Sequence, residues 1–468
     1  MTDIQSYRAI AGRDPTLVWP ALLAPRQAQL AAVLHQLDES QWWPPETLRA
    51  QQLRQAATLL RHAYLRAPFY RARLDRAGFT PDLALTPALW SRIPVLERAE
   101  LQQAGKALHS TSVPTEHGST HEISSSGSTG QVVTVRGTQL SQFFWDVFTL
   151  REHLWHGRDF AARLAAIRPY AAGAADYPKG AVGKTWGRAT AQLFANGRSF
   201  SLNISSSAAQ QTDWLRRVKP DYLLTYPSAL RDILLHCREH DISIATLREV
   251  RTLSETLPPE TRALCREVWG LPITDGYSSQ ENGLLALQCP AAEHYHVQSE
   301  AVILEVLNEA GRPCAPGEIG RVAVTSLHNF ATPLIRYALG DMAELGEACA
   351  CGRGLPVLKR VLGRVRNRLC YPDGRLGWPM MGDIFHAGVD GIRQYQIIQH
   401  GLEDIEMRLA VERPLGPAEE EKLRHWLRLR SGHPFPVRFS YASEIPRGPG
   451  GKFETFRSEI PQATGLRS

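Results

Sequence analysis

Tyr222-Leu223-Leu224-Thr225, residues 228–240 and Val250-Arg251-Thr252-Leu253 form the stretch that decides the fold: a short apolar run, a helical pattern and a second short apolar run. Strands separated by helical segments need crossover connections, which pair them side by side in one direction. The same alternation extends upstream through Val132-Val133-Thr134-Val135 and Leu164-Ala165-Ala166-Ile167. Downstream, Ile303-Leu304-Glu305-Val306 and Arg321-Val322-Ala323-Val324 flank a turn-rich stretch over 308–320, the pattern of a hairpin-like pair in a β-rich subdomain. Upstream, Leu48, Leu53, Ala57, Leu60 and Tyr64 recur at helical spacing after Pro44-Pro45, predicting an amphipathic helix packed on a larger body.

Beyond Gly363-Arg364 the pattern becomes a short α+β unit, with a strand over 405–411 and a helix over 419–430. The chain therefore reads as an α/β protein with a large N-terminal domain (1–362), whose sheets are largely parallel, and a small mobile C-terminal domain (363–468). Its 468 residues exceed what one hydrophobic core organises, which agrees with two domains.

Composition narrows the function classes. With 53 Lys and Arg against 47 Asp and Glu, the net charge of +6 is mild and spread along the chain, without the basic stripe or module of a nucleic-acid binder. No apolar run reaches membrane-spanning length, and Met1-Thr2-Asp3-Ile4 lacks signal-peptide character, so a cytoplasmic protein with no membrane partner is expected. Seven cysteines scattered through such a chain argue against a disulfide framework. Cys349-Ala350-Cys351 is too tight for easy disulfide geometry; with Cys289 and His296, or His294 as alternate, these thiols suit a closed structural zinc site of the Cys3His type, the alternative being buried or free thiols with a surface histidine.

Ser124-Ser125-Ser126-Gly127-Ser128-Thr129-Gly130 precedes a β-branched strand and offers backbone N–H groups and hydroxyls without bulk, the donors a polyphosphate needs. Taken alone, such a run is also the composition of a flexible surface loop, and no Gly-Lys-Ser/Thr follows it. Further along come Asp275-Gly276-Tyr277-Ser278-Ser279-Gln280-Glu281, Arg336-Tyr337-Ala338-Leu339-Gly340-Asp341, Gly363-Arg364 and Gly448-Pro449-Gly450-Gly451-Lys452.

In this order and spacing, together with Pro68-Phe69-Tyr70 and Ile93-Pro94-Val95-Leu96, the motifs resemble the acyl-adenylate-forming superfamily over nearly the whole chain, in particular its phenylacetate-CoA ligase and capsule-biosynthesis-like branch. The resemblance implies an ATP-dependent ligase that converts a carboxylic acid, aryl or short acyl, to its acyl-AMP and passes the acyl group to a thiol. Residues Ser125, Ser126, Gly127, Ser128, Thr129 and Gly130 would hold the triphosphate, Tyr277 would lie on the adenine, and backbone at Ser254 and Glu255 would meet its edge. Asp341 would take the ribose hydroxyls with Arg364 nearby, Glu281 would hold Mg2+, and Lys452 would bridge the acid and the α-phosphate. The acid pocket is expected along 144–153 and 222–230, with Tyr226, Pro227, Ser228, Gly276 and Ser278 at its wall. Similar Cys and His positions occur in some ligases of this branch.

The pattern also departs from the family. Ser278 and Gln280 replace the usual Gly and Thr/Ser, Gln131-Val132 replaces Lys-Pro, and the hinge reads Val365-Arg366-Asn367-Arg368-Leu369 without its acidic residues. CoA is the expected acceptor. A carrier-protein thiol or another nucleophile is the alternative, because Arg364, Arg366 and Arg368 would suit an acidic helix as well as phosphates. A non-catalytic nucleotide-binding member is a third reading, and a monomer or homodimer is expected.

Overall fold

The computed structural model describes residues 16–17, 20–125, 133–364, 368–377 and 384–460. The N-terminal third is helical: α1 (Pro25–Ser40), α2 (Pro45–Arg66), α3 (Pro68–Ala77), α4 (Pro87–Arg92) and α5 (Arg98–Ala104). Four of these begin with proline in the first turn, where its missing N–H costs nothing. Leu53, Leu59 and Leu60 of α2 are buried in a core shared with Tyr337 and Leu358, far along the chain.

Two strands then pair antiparallel, β1 (Thr120–Ser125) and β2 (Val133–Thr138), with Ser125 opposite Val133. This corrects the sequence reading, which counted 132–135 among strands linked by crossovers. Only the segment 126–132 joins β1 to β2, too short for a crossover, so the chain folds back as a separate two-stranded sheet. Residues 126–130 of the proposed triphosphate loop lie outside the described residues.

After α6 (Gln139–Trp155) come β3 (Leu164–Arg168), β4 (Ala181–Gly183), α7 (Arg188–Ala191), β5 (Ser199–Asn203), α8 (Ala208–Val218), β6 (Tyr222–Thr225), α9 (Pro227–Glu239), β7 (Glu249–Thr252), α10 (Pro259–Trp269) and β8 (Ile273–Ser279). Strands β3, β5, β6, β7 and β8 form the parallel part of a large sheet. The helices are bounded by local chemistry: Ser207 and Gln210 cap α8 reciprocally, and Gly270, at φ 67, ends α10 in the left-handed conformation.

The sheet continues antiparallel through β9 (Gly283–Gln288), β10 (Tyr295–Val297), β11 (Val302–Leu307), β12 (Ile319–Ser326), β13 (Tyr337–Leu345) and β14 (Val357–Arg364), in the order β11-β12-β13-β14-β10-β9-β8-β7-β6-β3-β5-β4. Strand β8 is the seam. Ile273, Thr274 and Asp275 pair in parallel with β7, whereas Gly276 to Ser279 pair antiparallel with β9.

The C-terminal part has its own core. After the small pair β15 (Leu369–Cys370) and β16 (Leu376–Gly377), strands β17 (Ile392–Gly401) and β18 (Asp404–Val411), helix α11 (Pro417–Ser431), β19 (Val437–Ala442) and β20 (Phe456–Ser458) build a four-stranded sheet in the order β19-β18-β17-β20. Ile397, Met407, Leu423 and Trp426 pack within it. No described helix is long and apolar enough to cross a membrane.

A buried ionic group fastens α6 to the parallel sheet. Arg158, with a side chain 0% exposed, donates to both carboxylate oxygens of Glu249, at 2.9 and 2.6 Å, and to Glu152 at 3.1 Å. Arg251 shares Glu152. Arg158→Ala leaves the Glu249 carboxylate buried beside Thr274 without its cation, so the large lobe should lose about 3–5 kcal/mol in chemical denaturation.

Candidate active site

The C-terminal ends of parallel strands expose the backbone groups and helix starts that ligands use, and here three such ends converge. β6 delivers Tyr226 and the first turn of α9, β7 delivers Ser254 and Glu255, and β8 delivers Gly276, Tyr277 and Ser278 at the seam. Ser254 has φ 71, a left-handed conformation that is costly for a residue with a Cβ and that accumulates at functional sites. A Cβ built on Gly276 would meet no atom within 4 Å, so the strand faces open space there.

The antiparallel part supplies the opposite wall. Asp341 on β13 and Arg364 at the end of β14 are paired in register. Arg364 Nε lies 3.1 Å from Asp341 Oδ1, and the Tyr277 hydroxyl donates to Asp341 Oδ2 at 2.8 Å. Burial and the neighbouring Asp341 charge push the Tyr277 hydroxyl far above its ordinary pKa, which keeps it a donor. Glu281 follows in the turn between β8 and β9.

The C-terminal part reaches into the cleft through residues 447–453. The Tyr226 hydroxyl donates to the Gly450 carbonyl at 3.1 Å, and Arg447 donates to Ser228 Oγ at 2.6 Å with Asp232 3.5 Å away. The Glu255 carboxylate is the pivot: one oxygen accepts the Ser228 N–H at 3.0 Å and the other the Phe453 N–H at 2.7 Å. Gly450 and Gly451, at φ 71 and 72, turn the loop, and a Cβ on Gly451 would come within 2.4 Å of Pro169 Cγ. Only glycine allows that approach.

Lys452 is thereby held in the cleft. Burial and the nearby Arg364 push its ammonium pKa down, while Asp341, Glu255 and Glu281 pull it back up. Lys452, Asp341, Arg364, Tyr277, Glu281 and Glu255, spread over almost 200 residues of sequence, thus share one electrostatic neighbourhood. Tyr226, Pro227 and Ser228 sit against the lysine loop. Of the expected pocket stretches, Phe144, Trp145 and Phe148 face a cavity beside Glu281, whereas Leu223 and Leu230 are core. Arg366 lies outside the described residues.

A family model described as the CapK C-terminal domain matches residues 378–459. The phenylacetate-coenzyme A ligase of Thermus thermophilus is 26% identical over 390 residues, covering 79% of this chain and 83% of that protein. Protein CapK of Staphylococcus aureus is 22% identical over 249 residues, covering 51% and 53%. The chain is thus similar to phenylacetate-coenzyme A ligase and to CapK, in line with the resemblance of its ordered motifs to the acyl-adenylate-forming superfamily. A crystal structure of 2-hydroxyisobutyryl-CoA ligase in its postadenylation state has the same fold, with a TM-score of 0.69 at 18% identity over 90% of this chain and 91% of that one.

The chain carries a second cluster of candidate ligands. Cys289 after β9, His296 on β10, and Cys349 and Cys351 between β13 and β14 place one donor atom each within 4.8 Å of one another. Tetrahedral zinc with ordinary zinc–sulfur bonds spaces two sulfurs at about 3.8 Å. Cys289 Sγ and Cys349 Sγ stand 3.8 Å apart, and Cys351 Sγ is 3.4 Å from His296 Nε2. His296 Nδ1 faces the Leu355 carbonyl at 3.4 Å, leaving Nε2 for the cluster, and backbone N–H groups of Ala291 and Cys351 reach Cys289 and Cys349. The donor set fits a structural zinc. His294 stays outside the set, its ring centroid 5.4 Å from that of His296.

Sequence reasoning missed the Glu255 side chain and Arg447. The signals were a carboxylate beside the strained Ser254 and an arginine abutting Gly448-Pro449-Gly450-Gly451. In Gly451→Val the added side chain collides with Pro169 and Ile204. The loop should undock, and trypsin should cut after Arg447 and Lys452 at least several-fold faster with unchanged far-ultraviolet circular dichroism.

Proposed function

We propose that this protein is an AMP-forming acid–CoA ligase. The observation that carries the reading is the seating of Lys452 in the cleft, within electrostatic reach of Asp341, Arg364 and Glu281 and fixed there through Glu255. In the first half-reaction a carboxylate oxygen of the acid attacks the α-phosphorus of ATP, the bond to the β-phosphate breaks, and pyrophosphate leaves. Lys452 stabilises the negative charge that builds on the acid and α-phosphate oxygens. In the second, the CoA thiolate attacks the acyl carbon and AMP departs.

The resemblance of the ordered motifs supports these residue roles. Asp341 keeps lone pairs beyond those taken by Tyr277 and Arg364, enough to accept the ribose hydroxyls. Tyr277 presents its ring to the adenine, Ser254 and Glu255 line its edge, and residues 125–130 grip the triphosphate. Glu281 would hold a magnesium ion, which neutralises charge on the departing pyrophosphate. Gly276, Ser278 and the 226–228 turn bound the acid carboxylate.

A zinc ion at Cys289, His296, Cys349 and Cys351 would tie the β9-β10 hairpin to the β13-β14 connection, a purely structural service because all four positions are filled by protein. On this reading the C-terminal domain, 363–468, rotates about the hinge 365–369 to replace the lysine loop with a thiol-facing surface. CoA and ATP as substrates place the enzyme in the cytoplasm.

Three outcomes are expected. Exchange of labelled pyrophosphate into ATP depends on the acid and falls at least 100-fold in Lys452→Ala; unchanged exchange refutes the lysine's role. Because Lys452 must be protonated and its pKa is lowered, kcat/KM for ATP falls with rising pH below the ordinary lysine range. The bound triphosphate favours the ammonium, so kcat holds to higher pH. Finally, purified protein carries one zinc per chain by elemental analysis, and Cys351→Ser loses both the metal and several degrees of thermal stability.

A further inference from the structure

Two cavities meet at His328. The smaller, about 60 Å³, lies beside Glu281 and is walled by Phe144, Trp145 and Phe148 of α6 with Ile123 of β1. The larger, about 420 Å³, lies against α2 and is polar, with Gln51, Gln52, Gln55 and Glu300 in its lining. His328 lines both. Glu281, whose carboxylate acts on the Lys452 ammonium, also lines the smaller cavity, so that cavity adjoins the surroundings of the lysine.

The His328 ring lies flat on Phe144, with centroids 3.7 Å apart and planes 11° from parallel. Burial lowers its pKa to about 4, so at neutral pH one ring nitrogen donates and the other accepts. Among the described residues neither nitrogen has a hydrogen-bond partner. The Gln142 side chain, on the first turn of α6 in the same cavity, likewise has none among them. Polar groups facing a small aromatic-walled cavity lose hydrogen bonds to water when a ligand fills it, unless that ligand replaces them.

We infer that the acid is aromatic and bears a hydrogen-bonding substituent, a hydroxyl or an amino group, on its ring, where His328 and Gln142 read it. The inference rests on the acid-activation reading and adds its substrate class. Phe144 and Trp145 favour a flat ring, and the polar chamber that shares His328 accommodates water around the substituent. A site built to hydrogen-bond a substituent discriminates strongly against the isostere that lacks it, because its own groups are then left unpaired.

The test compares 4-hydroxy and 4-amino aryl acids with their 4-methyl isosteres, for benzoates and arylacetates. Binding of the acid alone is read by saturation-transfer NMR and activation by pyrophosphate exchange. The polar acids should bind at least tenfold tighter than the methyl acids; His328→Phe should abolish or invert that order, and His328→Gln, which keeps donor and acceptor, should retain part of it. Methyl acids binding as well as the polar ones, or an order unchanged in His328→Phe, would overturn the inference. Selective binding of polar acids without exchange would uphold the pocket assignment and refute activation; exchange with a preference for methyl acids would do the reverse.

Discussion

The two lobes meet on one buried carboxylate. Glu255 faces the large lobe with one oxygen, through the Ser228 N–H, and the C-terminal lobe with the other, through the Phe453 N–H. Burial raises its pKa, and those two N–H groups with the nearby Arg447 work against the rise. Hydrogen bonds to a charged acceptor contribute about 1.5–3 kcal/mol each. Under the proposed rotation, that range lets the lobe dock firmly and also leave. Phe453 adjoins Lys452, so the bond that seats the lobe also sets where the ammonium stands.

The place of this contact follows from the sheet. A purely parallel sheet would offer strand ends, and a purely antiparallel one would offer faces; this sheet changes direction within β8. The change leaves Tyr277 facing the β13-β14 pair, where Asp341 and Arg364 lie opposite each other. The ends of β6 and β7 remain free to receive the lysine loop. The ionic group around Arg158 anchors α6 and β7, and under the proposed zinc the Cys/His cluster would brace the hairpins.

Much of this was legible in the residues. Period and length placed β6, α9 and β7 to within a residue, because each buries an apolar run between turn signals. The ordered motifs pointed to Tyr277, Asp341, Arg364 and Lys452, and the spacing Cys349-Ala350-Cys351 pointed to a metal cluster. What escaped depends on partners distant in sequence. Glu255 and Phe453 are 198 residues apart. The switch of pairing inside β8 leaves no trace in hydrophobic period, since both halves are strand. Val133 looked like a crossover strand because its apolar pattern does not reveal how short a link precedes it. His328, in Leu327-His328-Asn329, has nothing local to mark it; its stacking on Phe144 is tertiary.

The measurement closest to the central claim separates the two half-reactions in Glu255→Ala. Acid-dependent pyrophosphate exchange reports the docked lysine, and thioester formation from a synthetic acyl-adenylate and CoA reports the rotated arrangement. Loss of the first by at least 100-fold with the second kept within a few-fold is the expected result. Equal loss of both, or exchange that survives without the Glu255 carboxylate, would contradict it.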